Sequence, residues 1–290
     1  MKTLITLTLS MILLAAAPAL AQQYDRTRGE LSPGTQAPNR ADMVTVINSG
    51  TATHLIATLE YGERVECFEC IPLLSRKLLE SSDARVREIS AWWLRRRPFG
   101  MGPIMIHMKS VLATDSDPVR RTRAAEALGE FMDGHALPAL STAVTGDADA
   151  GVRAAAVRAL GRLNVYGGNT AIAAAFGDVD ANVRRAALSV VLRVNFFRAY
   201  DAIIPLLGDS DADVRRRSAL ILGSFRVDTA VSPLIAMLRG DTSTTARQAA
   251  AWALGRIGGS EAQTALAETY GTESVSLVRD AIEIAQQMRR

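Results

Sequence analysis

Apolar positions along this chain follow two rhythms. Within short stretches they fall three and four residues apart, as on one face of a helix. Across the chain the same stretch returns every 31–34 residues. Its fullest form is residues 208–223, where two acids precede an apolar slot (Val214), then Arg215, then Ala and Leu ending in Leu222-Gly223. The arginine after the slot recurs as Arg87, Arg121, Arg153, Arg184, Arg215, Arg247 and Arg279. In the second copy Val119-Arg120 stands one residue early against Leu128-Gly129, so Arg121 and not Arg120 is placed in the series. A second apolar, Ala-rich stretch precedes each later copy, at 103–113, 135–145, 170–176, 199–207, 228–238 and 260–270. Helical pairs repeating at this period cannot bury their apolar faces singly and must stack. The expectation is an all-α superhelix of about seven helical hairpins, with an N-terminal cap helix over 51–59.

The turns carry the next signal. Asp115/Asp117, Asp147/Asp149, Asp178/Asp180 and Asp209/Asp211 are acids two residues apart. The second of each pair lies three residues before the apolar slot, where an N-cap belongs and where a carboxylate meets the first-turn N–H groups. Asp83, Asp117, Asp149, Asp180, Asp211 and Ser243 fill that position. Glycine after the repeated leucine suits a helix end or the close approach of a neighbouring helix. The last copy has Gln286 and Gln287 in the Leu and Gly positions, as a water-facing terminal cap should.

Asp-x-Asp-x-x-Val-Arg-x-x-Ala…Leu-Gly resembles the HEAT repeat, in the short bacterial form named after the phycobilisome lyases, over roughly residues 67–290. The resemblance implies that the turn acids Asp83, Asp117, Asp149, Asp180 and Asp211 and their arginines are structural, linking one repeat to the next.

Composition agrees with closely packed helices: 48% of residues are hydrophobic but only 5% aromatic. Of 33 basic residues only Lys2, Lys77 and Lys109 are lysines, yet the net charge is +3, too close to balance to argue for nucleic acid. Met1-Lys2-Thr3, an apolar run over 4–17 and Ala19-Leu20-Ala21 read as a signal peptide cut before Gln22. An N-terminal membrane anchor is the competing reading, and the run is short for a span. The expected organisation is a signal peptide at 1–21, a polar disordered tether at 22–42 and the solenoid at 43–290. A bacterial periplasmic or secreted location follows, with no stable membrane span after cleavage.

Cys67 and Cys70 are the only cysteines. Three readings stand open: a structural disulfide, two reduced core thiols, or a redox or metal pair. The first is preferred, because no thioredoxin-like pattern surrounds them and Ile71 replaces the His of a haem-attachment motif. Asp209, Asp211 and Asp213 suggest calcium, but an EF-hand loop wants Gly and Glu where Val214 and Leu220 stand. No metal, cofactor or catalytic residue is assigned. His54, His107 and His135 lack the His-Glu pairing of di-iron hydroxylases built on HEAT repeats, and no nucleophile elbow or phosphate loop appears.

What remains is a surface. Positions two, six and ten residues after the slot share one helix face. They bring Trp92, Arg96, Arg158, Arg162, Arg185, Arg193, Arg216, Trp252 and Arg256 into a row, with Glu88 and Gln248 at its ends. In HEAT-type stacks the second helices line the inner curve, so the row forms either an arginine-rich groove or a plain solvated face. Trp and Arg anchor interfaces. The expected function is a non-enzymatic scaffold that holds a protein or peptide along this groove, an acidic one matching its charge. Two alternatives remain: an accessory lyase or ligand-binding protein of the phycobilisome-lyase type, and a thiol-based envelope factor using Cys67 and Cys70.

Overall fold

Alternating caps, Ala-Leu faces and Gly-bearing helix ends produce what the pattern demands. The computed structural model describes residues 37–195 and 197–288. The expected signal peptide and residues 22–36 lie outside the described residues. Fifteen α-helices follow: α1 Arg40–Ser49, α2 Ala52–Tyr61, α3 Cys70–Glu80, α4 Ala84–Leu94, α5 Pro98–Thr114, α6 Pro118–Phe131, α7 Leu137–Gly146, α8 Ala150–Leu163, α9 Asn169–Ala174, α10 Ala181–Val191, α11 Ala212–Ser224, α12 Val231–Gly240, α13 Thr244–Ile257, α14 Ser260–Thr272 and α15 Ser276–Gln287. Among the described residues there is no strand. The seven units pair α3 with α4 through to α14 with α15, and one buried cluster runs through them from Met43 to Ala285. The second helix of each unit (α4, α6, α8, α10, α11, α13, α15) packs against the second helices beside it more closely than the first helices pack together, which puts the second helices on the inner curve.

Two expectations at the N-terminus change. The cap is a hairpin, α1 with α2, whose helices pack on α3 and α4 as a further layer. It begins inside the stretch expected to be tether: Asn39 caps α1, its side chain accepting from the Asp42 N–H while the Asp42 carboxylate accepts from the Asn39 N–H. In unit five the expected helix over 199–207 is a 3₁₀ segment, Tyr200–Gly208. Pro205 sits in its middle, without a donor and crowding the preceding turn.

The repeated glycine marks a contact, not a helix end. A Cβ on Gly129 would lie 2.8 Å from Ala159 Cα, on Gly223 2.6 Å from Ala253 Cα and on Gly255 2.8 Å from Ala285 Cα. The reversal comes three residues later, where Met132, Asn164, Arg226 and Gly258 take positive φ. Unit four departs from this rule. Leu192 holds the glycine position, α10 stops at Val191, and α10 meets α11 more loosely than the other neighbouring second helices of units two to seven meet. Aromatic rings fill the resulting wedge: Phe176 on Phe197 at 6.0 Å, Phe197 on Tyr200 at 5.5 Å, Tyr200 stacked on Phe225 at 4.1 Å. In the last unit Gln287, in the glycine position, is exposed.

Each expected cap is a cap. Asp83, Asp117, Asp149, Asp180, Asp211 and Ser243 accept from a first-turn N–H of the helix they precede. The link made by the repeated arginines, however, does not run to them. It runs to the first acid of the next turn. Arg121 Nε and Nη2 hold Asp147 at 2.8 and 2.9 Å, and Arg153 holds Asp178 at 2.6 and 2.8 Å. Arg184 pairs with Asp209 at 2.6 Å, Arg215 with Asp241 at 2.6 Å and Arg247 with Glu273 at 2.9 Å. The remaining Nη1 of each arginine donates to carbonyls of its own turn, such as Asp115 and Ser116 for Arg121. Each acid also takes a backbone N–H two residues on. The five arginine side chains are 10–14% exposed and their acids 4–9%. Such pairs require every donor and acceptor to be filled, and here the forks and turns fill nearly all of them.

Both ends of this ladder differ. Arg87 reaches Glu126 on α6 at 3.0 Å, while the turn acid Asp115 is taken by its own Arg120 at 2.7 Å. The long α5 and the 34-residue spacing from Arg87 to Arg121 shift the register there. Arg121, not Arg120, occupies the ladder position, as the sequence indicates. Arg279 is exposed, and its side chain bonds no described residue.

Arg215 holds Asp241 well below the usual carboxylate range, and Arg247 does the same for Glu273. At Asp147 and Asp178 burial pushes upward, but Arg121 and Arg153 with the turn N–H groups prevail and the net direction is downward. A carboxyl that ionises more readily folded than unfolded contributes fully above the unfolded pKa, about 4, and loses that contribution as pH falls through the folded value. Urea unfolding followed by helicity should therefore show stability dropping below about pH 4, and dropping less in Asp241→Asn. At pH 7, Asp241→Ala should cost roughly 3 kcal/mol by stranding Arg215, whereas Asp115→Ala, with its partner one-third exposed, should cost about 1 kcal/mol or less. Equal losses would deny the ladder its role.

The glycine contacts give a second test. Gly223→Ala should destabilise by about 1–3 kcal/mol through overpacking against Ala253, although alanine favours a helix by about 1 kcal/mol. Gly240→Ala, whose Cβ would meet nothing within 4 Å, should be neutral or stabilising.

Candidate functional site: the groove along the second helices

The second helices carry the expected row onto the inner face, but its charge is largely spent. Arg96 lies 4.0 Å over the half-buried Trp92 ring and pairs with Glu63 at 2.7 Å. Arg162 pairs with Glu130 of the neighbouring helix. Arg185 reaches Asp211 at 2.5 Å, and Arg216 reaches Asp213 at 2.6 Å. Arg256 lies 5.8 Å from Trp252, whose ring edge rests beside Gly223. Among the arginines of the row only the exposed Arg158 and Arg193 have side chains that neither bond a described residue nor lie over a ring, and Glu88 at the end of the row is likewise exposed with an unbonded side chain. The arginine-rich groove is thus an ion-pair lattice in which Arg158, Arg193 and Arg256 have no carboxylate partner among the described residues.

The acids of this lattice were missing from the sequence row. Glu126 and Glu130 stand six and ten residues after position 120, the unit-two equivalent of the slot. The displaced Val119 hides that register, and counting from Asp117 recovers it. Between α4, α6 and α8 these acids and Arg158 border a cavity of about 110 Å³ floored by Ala127, Ala155 and Ala159. Arg87, Glu88, Arg123 and Arg162 complete its polar rim, and Arg123 donates to the Leu79 carbonyl at 2.7 Å. The cavity is therefore mixed in charge, with Arg158 and Glu88 both lacking a bonded side-chain partner among the described residues.

Beside the groove, Trp93 is fully buried, its indole N–H donating to the Gly62 carbonyl at 3.1 Å. Arg97 covers the ring at 3.8 Å and donates to the Glu63 and Val65 carbonyls. Burial lowers the pKa of this guanidinium. Arginine remains charged even so, so the pair acts as a clamp on the N-terminal hairpin.

The other candidates resolve into structure. Cys67 and Cys70 are joined as a disulfide at the start of α3, Cα atoms 5.3 Å apart, with both residues buried. Exchange needs access to a sulfur, which this placement denies. Asp209, Asp211 and Asp213 are engaged by Arg184, Arg185 and Arg216, and no group of three metal-ligating side chains gathers among the described residues. His54 and His107 are exposed on α2 and α5. His135 bonds Asp133 at 2.7 Å before α7, so the three are not brought together. No described helix is long and apolar enough to cross a membrane.

Known proteins agree on the architecture. Residues 107–193, 168–239 and 200–286 match a family model described as HEAT repeats, which together span more than half the chain. The Escherichia coli protein YibA is similar at 14% identity, with 86% of this chain and 93% of that one covered and a TM-score of 0.56. A HEAT-like repeats protein of Thermococcus onnurineus gives 14% identity, 75% and 96% coverage and a TM-score of 0.48. The CpcE–CpcF complex of phycocyanin lyase from a Nostoc species gives 22%, 74% and 93%, and 0.39. No curated protein matches the chain in sequence. Period, turn ladder and matched segments together make this chain a member of the HEAT-repeat family.

Proposed function

We propose that the protein is a non-enzymatic scaffold that holds a protein or peptide partner in its concave groove, in the periplasm or outside the cell. The observation that carries this is the pair of exposed guanidiniums, Arg158 and Arg193, on a face where the other arginines of the row pair with a carboxylate or lie over a tryptophan. Exposed cations with no bonded partner, on a face that also carries the half-buried Trp92 and Trp252 two units to either side, offer anchoring groups at little cost in reorganisation. Their charge favours an acidic partner. The location draws support from the N-terminal apolar run and from a disulfide, a bond that persists in oxidising compartments.

The protein recovered from a periplasmic extract should have the mass of a chain beginning at Gln22. Used as bait on the envelope fraction, it should retain a partner that the triple variant Arg158→Gln, Arg193→Gln, Trp92→Ala does not, while circular dichroism shows the same helicity. Equal capture by the folded variant would exclude the groove, and recovery only in the cytoplasm would exclude the location.

A further inference from the structure

The cavity between α4, α6 and α8 carries more charge than the repeat requires. Six residues after the slot, charge stands only in units two and three, as Glu126 and Arg158; units four to seven have Ser189, Leu220, Trp252 and Ile284 there. The stack is therefore built without a charge at this position, and those in the cavity need another account.

Part of that charge is matched within the protein. Arg87 holds Glu126 at 3.0 Å, and Arg162 pairs with Glu130. Three lining groups have no ion-pair partner among the described residues. They are Glu88 from α4, Arg123 from α6, which bonds the Leu79 carbonyl, and Arg158 from α8. Two guanidiniums and one carboxylate thus border a single space, floored by the methyl groups of Ala127, Ala155 and Ala159.

The complement of that set is a small molecule with two carboxylates and one ammonium group. A guanidinium fork takes a carboxylate through paired N–H groups. Glu88 repels a bare anion such as sulfate and rewards a ligand that brings its own cation. Because one exposed ion pair adds little affinity, all three contacts must converge on one molecule. Size agrees with this chemistry. An apolar cavity of about 150 Å³ holds benzene, so one of about 110 Å³ suits a body of roughly four or five carbons with its charged ends at the rim.

We propose that this cavity binds a free acidic amino acid, aspartate or glutamate, its carboxylates on Arg123 and Arg158 and its ammonium group on Glu88. The site shares only Arg158 with the partner surface proposed above and does not depend on it.

The test is equilibrium dialysis of the purified protein against radiolabelled L-aspartate and L-glutamate, at low salt, where exposed charges are least screened. At least one should bind. Its dicarboxylate analogue without the ammonium group (succinate or glutarate) and its amide (asparagine or glutamine) should each compete at least about tenfold more weakly, the worth of one charge-assisted contact. Sulfate should compete more weakly still. Glu88→Gln and Arg158→Gln alter exposed side chains that bond no described residue, so both variants should fold. Glu88→Gln should weaken the amino acid about tenfold and leave the dicarboxylate unchanged or tighter. Arg158→Gln should weaken the amino acid until its amide competes equally. A merely structural role for either residue would shift neither preference. Absence of binding by both amino acids, equal competition by sulfate or the dicarboxylate, or affinity indifferent to both variants overturns the proposal. If neither amino acid binds while envelope capture still depends on Arg158, the amino-acid site falls and the scaffold reading stands.

Discussion

The stack depends on one bond repeated: an arginine that begins a second helix reaching across to the first acid of the next turn. A single fork satisfies three demands at once. It neutralises the carboxylate, it ties down the carbonyls of its own turn, and it fixes the distance between units. The Arg215–Asp241 pair shows why such an ion pair is tolerated with so little water. The carboxylate also accepts the Ser243 N–H, and Arg215 Nη1 is bonded to the Asp209 and Ser210 carbonyls, so almost no polar atom is stranded. Loss of either partner would strand a charge, which is a steeper cost than the pair's own net contribution. The ladder therefore specifies register more than it supplies stability, and it leaves the hydrophobic term to the Ala-Leu faces.

Glycine sets the second constraint. Where Gly129, Gly223 and Gly255 face the next helix, backbones meet with almost no side chain between them. Unit four breaks the rule with Leu192, and the consequences follow in order. The close approach is lost and α10 ends early, at Val191. Phe197, Tyr200 and Phe225 occupy the gap. The seam lies between units four and five, where α10 and α11 meet more loosely than their neighbours.

Much of this was legible in the sequence, for reasons of locality. Caps such as Asp211 act on N–H groups two or three residues away, so their role can be read from spacing alone. The partner of each arginine cannot. Arg153 and Asp178 are 25 residues apart, and only the stacking distance decides that the first acid of the turn receives the bond while the second stays with its helix. The N-terminal hairpin was illegible as a repeat because no arginine follows the Thr51 cap, so the period gives no sign of it. The groove shows the same limit. Its arginines were visible, but whether Arg162 is free depends on Glu130 lying one helix away, behind a register that Val119 disguises.

That last point governs how the inner face should be understood. An arginine count would make the groove a general trap for anions, with affinity scaling on total charge. A lattice that cancels its own charges behaves otherwise, since each paired arginine must be pulled from a protein carboxylate before it can serve a ligand, and the exchange yields little net energy. Selectivity then falls to the few groups left over and to their spacing, not to the field of the whole. Arg158 is the clearest case: Glu126 and Glu130 beside it are already held by Arg87 and Arg162, so Arg158 can serve an anion there without a pair being broken.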